Sequence, residues 1–114
     1  MTARQKQRPP KHLKAPTRRW WTLVVADYEL EAHHIRLLTL AGEAWDRCNQ
    51  ARLALVEHGL TFTDRFGCPK SRPEIAIERD SRMAFARMVR EMALDNTESP
   101  EARPPRPAGR YHRM

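Results

Sequence analysis

The chain has 114 residues, a mass of 13.3 kDa and a formal charge of +7, which is room for one domain, and for a respectable core only if most of the chain folds. Two cysteines, Cys48 and Cys68, are too few and too far apart for a disulfide framework or a metal pair, and fit a reducing cytoplasm. The run Leu23-Val24-Val25-Ala26 is far shorter than a signal-peptide core or a membrane span, so no membrane partner is expected.

The charge is unevenly placed. Residues 1–19 hold Arg4, Lys6, Arg8, Lys11, Lys14, Arg18 and Arg19 and no acid, which makes +7. Residues 96–114 add +2, while 20–95 hold ten basic and twelve acidic residues, so the excess belongs to the tails. Basic tails on a near-neutral body act as electrostatic arms with a polyanion as natural partner. Neutralised phosphates release counterions, so such binding weakens steeply with salt. The same charge also serves simply to keep a protein in solution. Pro9, Pro10 and Pro16 in front, and Pro100, Pro104, Pro105 and Pro107 behind, with no apolar period to bury, predict disordered arms over 1–16 and 96–114 around a helical core at 17–95.

A short helix is predicted from Thr17 as cap to Tyr28. Arg18 and Arg19 then fall in its first turn, where the positive end of the helix dipole disfavours cations. Either an anion binds there or the two arginines merely end the arm. A long helix follows from about Glu31 to His58, closed by Gly59 in the left-handed position where helices end. On a wheel of ~100° per residue, Leu37, Leu38, Leu40, Ala41, Ala44, Trp45, Cys48, Ala51, Leu55 and Val56 span an arc of roughly 160°, wider than one neighbour needs. Ile35 and Leu53 lie outside that arc, and Glu43 and Arg47 are spaced for an i,i+4 pair.

Leu60-Thr61-Phe62-Thr63, a turn at Asp64-Arg65-Phe66-Gly67 and a return through Cys68-Pro69-Lys70 predict a β-hairpin, serving as a contact element or as a plain connector. The third helix starts after Ser71, three residues before Glu74 in capping-box spacing, with Pro73 in the first turn where a missing N–H costs nothing. Ile77, Ala84, Phe85, Met88, Val89 and Met92 give it an apolar face, and Arg79, Arg82, Arg87 and Arg90 lie mostly off it as a solvated row or a second DNA contact. So much apolar surface on three helices points to self-association.

Catalytic patterns are missing. His33 and His34 are adjacent and point about 100° apart on a helix, so no zinc site is expected. None of Gly42, Gly59, Gly67 and Gly109 opens a phosphate loop, and the acids are scattered among arginines rather than converging as in a nuclease. No enzyme activity, cofactor or metal is expected.

Arg19-Trp20-Trp21 with Tyr28-Glu29-Leu30, Leu37-Leu38, Ala44-Trp45-Asp46, His58-Gly59-Leu60 and the turn at Gly67 continue into the stretch Arg72-Pro73-Glu74-Ile75-Ala76-Ile77-Glu78-Arg79-Asp80 and then Phe85 to Asp95. In this order and spacing, over residues 18–95, they resemble the small subunits of terminases from long-tailed double-stranded DNA phages. The resemblance implies a ring-forming homo-oligomer in the host cytoplasm that recognises the packaging site on viral DNA and presents it to the large terminase subunit, which holds ATPase and nuclease. Expected DNA contacts are Arg4, Lys6, Arg8, Lys11, Lys14, Arg18 and Arg19, holding phosphates without reading bases. Expected subunit contacts are Leu38, Trp45, Leu55, Phe85 and Met88. Rivals are an oligomeric adaptor that does not touch DNA, and a basic nucleoid-type protein binding DNA or RNA.

Overall fold

The structure, a computed structural model, describes residues 7–93. In chain order these form α1 (Ala15–Asp27), α2 (Ala32–His58), β1 (Thr61–Thr63), β2 (Pro69–Ser71) and α3 (Pro73–Met92). The described residues are therefore mainly helical, with three helices and a two-stranded hairpin, as their apolar periods predict.

At 27 residues, α2 is about 40 Å long and is the spine of the molecule. Its start is closed by a capping box: the Glu31 side chain accepts from the His34 backbone, while the Glu31 N–H donates to His34 Nδ1 at 3.1 Å. Its end is Gly59, at φ +87° and ψ −178°. The positive φ was expected, but the ψ is not that of a left-handed helical cap; it belongs to a region that is essentially glycine's alone. The chain leaves α2 extended and enters β1 directly.

In the hairpin Thr61 pairs with Ser71, Phe62 with Lys70 and Thr63 with Pro69, antiparallel. The Asp64 carboxylate shapes the turn by accepting the N–H groups of Phe66 and Cys68, each at 2.9 Å, and Gly67 takes the positive φ. Pro69 opens β2, where its missing N–H takes nothing from a ladder.

The hairpin returns the chain as α3, antiparallel to α2. Contacts run from Cys48 with Glu78, through Trp45 with Phe85, to the core cluster that holds Leu38 and Met92. Along this seam α2 presents Ala41, Ala44, Cys48 and Ala51, and α3 presents Ser81, all buried. Side chains this small let the two axes approach closely. Pro73 lies in the first turn of α3 as expected, but the cap is Arg72 with no side-chain hydrogen bond, so the Ser71–Glu74 capping box does not form. Ser71 is instead the last residue of β2, paired to Thr61, and this pairing moves the helix start one residue on.

The described part of the expected arm joins the fold. Leu13, 1% exposed, belongs to the core with Trp21, Val24, Leu38, Ala41 and Met92. The helix begins at Ala15 with Lys14 as cap, so Thr17 lies inside α1 rather than before it. Arg4 and Lys6, and the tail expected over 96–114, lie outside the described residues. No helix among the described residues is long and apolar enough to cross a membrane.

Candidate nucleic-acid interface

The start of α1 is held from α2 rather than by its own sequence. Asp46 Oδ2 accepts the Lys14 backbone N–H at 2.8 Å, and Asp46 Oδ1 accepts the Thr17 hydroxyl. A carboxylate thus sits at the positive end of the α1 dipole, a placement worth about 0.3–1 kcal/mol, and more when partly buried. One turn earlier on α2, a Cβ on Gly42 would lie 3.1 Å from both Leu13 Cδ1 and Thr17 Cγ2. Glycine inside a helix costs about 1 kcal/mol relative to alanine. Here it lets Leu13 and α1 lie against the α2 backbone.

On this platform Arg8, Lys11, Lys14 and Arg19 are exposed, and none of them makes an ion pair among the described residues. The two acids that α2 turns toward them are already engaged: Asp46 as above, and Glu43 by His12, whose Nε2 is 2.7 Å from Glu43 Oε2. The Glu43–Arg47 pair expected from spacing is not made. Side chains with five or three N–H donors facing solvent, with no internal acid to satisfy them, can hold phosphate oxygens.

Arg18 differs from its neighbours. It is half-buried, and its guanidinium donates to the Leu13 carbonyl. Because α1 starts at Ala15, Arg18 and Arg19 are its fourth and fifth residues, beyond the first turn. The conflict with the helix dipole disappears, and with it the need for an anion to explain these two residues. Asp46 occupies the end of the helix where such an anion would sit.

The expected subunit contacts separate into two groups. Leu38, at 0% exposure, lies in the chain's own core and has no surface to offer a neighbour. This corrects its assignment: α1 and α3 together cover that part of the α2 arc. Phe85 and Met88 are half-buried against the same core, and Leu55 is half-buried near the far end of α2. Trp45 is 42% exposed. Leu53 and Val56, at 67% and 78%, are the most exposed aliphatics of α2, and they lie beyond the reach of α1.

Body arginines near the seam are tied down. Glu78 Oε1 and Oε2 both take Arg82 at 3.3 Å, and Glu78 also takes Arg52 and the Cys48 thiol, each at 3.5 Å. The Arg82 guanidinium holds the Glu78 carboxyl below its ordinary value against the opposing pull of burial. Burial, with the hydrogen bond to Glu78 next, pushes the Cys48 thiol up, away from thiolate character. Arg79 pairs with Asp80 at 3.2 Å. Arg87 and Arg90 stay exposed on α3. Among the described residues no group of three or more His, Cys, Asp or Glu could hold a metal ion.

Sequence reasoning missed Asp46, Gly42 and His12. Only Gly42 carried a local signal, a glycine inside a long helix, which calls for a packing reason. Compared with known proteins, the chain matches no family model, no curated protein and no solved structure.

Proposed function

We propose that this protein is a non-catalytic DNA-binding assembly subunit of the phage terminase small-subunit kind. It works as a homo-oligomer, ring-like in that family, that binds viral DNA and presents it to the large terminase subunit in the host cytoplasm. The observation that supports this best is the ordered group Arg8, Lys11, Lys14 and Arg19: exposed cations beside α1 whose neighbouring acids are engaged elsewhere. Contacts of this kind position phosphate backbone and carry no sequence information, so selection of a site rests on the bending of DNA around the assembly. Arg4 and Lys6 extend the same arm in sequence. Self-association falls to the far half of α2, where Leu53 and Val56 are exposed beside the half-buried Leu55.

The test is reversal of Lys11, Lys14 and Arg19 to glutamate, leaving Arg18 in place because it holds the Leu13 carbonyl. Affinity for a double-stranded DNA fragment is read by fluorescence anisotropy across a salt series. Each lost phosphate contact lowers the slope of log affinity against log salt by ~0.9, so the triple variant is expected to lose about 2.7 of slope. Unchanged affinity and slope would sink the DNA role and favour the adaptor.

A further inference from the structure

α1, α2 and α3 meet around an apolar cleft of about 200 Å³, lined by Pro16, Thr17, Trp20, Trp45 and Phe85. The Phe85 ring lies 5.7 Å from Trp20 and 4.9 Å from Trp45, tilted 51° and 54° to them, so the three rings stand as walls rather than as a closed stack. Trp45 keeps part of its indole in solvent. Aromatic-walled clefts suit proline in the polyproline II form, whose φ is preset and which loses little entropy on docking. A flanking arginine adds its planar guanidinium to an exposed indole face.

The chain carries a segment of that chemistry at Arg103-Pro104-Pro105-Arg106-Pro107. The similar Arg8-Pro9-Pro10 is committed elsewhere: the Pro10 carbonyl accepts the Leu13 N–H in the turn before α1, and neither proline lines the cleft. From Phe85 to Ala93 is eight residues, ~12 Å of helical rise. Ten residues separate Ala93 from Pro104 in sequence, and a flexible chain of that length spans roughly 18 Å root-mean-square. A tether that matches its span gives a local concentration on the order of millimolar, so weak docking suffices.

We propose that the cleft between Trp20, Trp45 and Phe85 seats the chain's own Pro104–Pro105 segment as a polyproline II ligand, with a flanking arginine over Trp45. A proline-rich partner from outside must displace it, which makes the tail a built-in competitor for this surface. The proposal does not depend on DNA binding.

The three tryptophans make the test internally controlled, because Trp21 is buried and its indole N–H donates to Thr39 at 3.2 Å. Indole resonances of the full chain are compared by NMR with those of the variant Pro104→Ala, Pro105→Ala, Pro107→Ala. The Trp20 and Trp45 signals are expected to move while that of Trp21 stays. A synthetic peptide of residues 100–110, added to the variant at millimolar concentration, is expected to move them back; a peptide with its prolines replaced is not. Unmoved Trp20 and Trp45 signals would overturn the proposal. So would a wild-type position that drifts to the variant's on dilution, since the occupant would then be another copy's tail.

Discussion

The two halves of α2 carry the same kind of apolar arc, yet only the first is covered by a third helix. Leu38, Ala41 and Gly42 meet Leu13, Thr17 and Trp21, whereas Leu53 and Val56, with Leu60 just beyond, face solvent. The cause is length. α1 has 13 residues and α2 has 27, so α1 spans ~20 Å of a ~40 Å helix and α3 alone follows the rest. The covered half builds a platform for cations, and in the proposed assembly the uncovered half is where a second copy completes the core. An apolar arc read on a wheel therefore shows that a helix wants partners, and the length of the neighbouring helix decides which part is satisfied within the chain.

The comparison breaks first at Leu38. Leu38→Ala is expected to cost about 3 kcal/mol of folding stability in urea unfolding, as a fully buried leucine does when a cavity is left. Weakened self-association at unchanged stability would return Leu38 to an interface. Asp46→Ala comes next, at about 2 kcal/mol, since it removes a charged acceptor from two hydrogen bonds. Hydrogen exchange is expected to quicken at the Lys14 amide while the middle of α3 stays protected; equal acceleration in both would mean that Asp46 supports the whole bundle rather than the arm.

The uncovered half is sharpened by the double change Leu53→Ser with Val56→Ser. Self-association read by sedimentation is expected to weaken at least tenfold, roughly 1.4 kcal/mol, with unfolding of the single chain little altered. An unchanged mass distribution would remove this face from the assembly. The smallest effect concerns the ion cluster where α3 follows α2. Because Arg82, with Cys48 and Arg52, depresses the folded-state value of Glu78, its contribution is fully present above the ordinary carboxylate range and is lost as the pH falls through the depressed value. The melting temperature of Glu78→Gln is therefore expected below that of the wild type at neutral pH, with the gap closing in acid. A gap that does not change with pH would mean the carboxylate charge is not what links Arg52 and Arg82.

Local signals carried far. The extent of α2, the turn from Asp64 to Gly67 and the place of Pro73 in the first turn of α3 follow from an apolar period, an aspartate that ties its own turn, glycines at positive φ and a proline whose missing N–H is harmless. The cap at Thr17 failed, because its hydroxyl is spent on Asp46, 29 positions away. The Ser71 cap failed because strand pairing with Thr61 claimed that residue first. The candidate site was legible as charge, in Lys11, Lys14 and Arg19, and illegible as geometry, since nothing near Arg18 in the sequence shows that it turns back to Leu13.

By itself, then, the sequence determined which stretches are helix or strand, where the charge lies and how wide an apolar face each helix needs, since all of these depend on residues within a few positions of one another. Only the tertiary structure decided that Leu13 and Leu38 belong to one core, that Asp46 closes the start of α1, and that the far half of α2 stays uncovered. Each of these depends on a partner brought from a distant part of the chain, and on how far a neighbouring helix reaches.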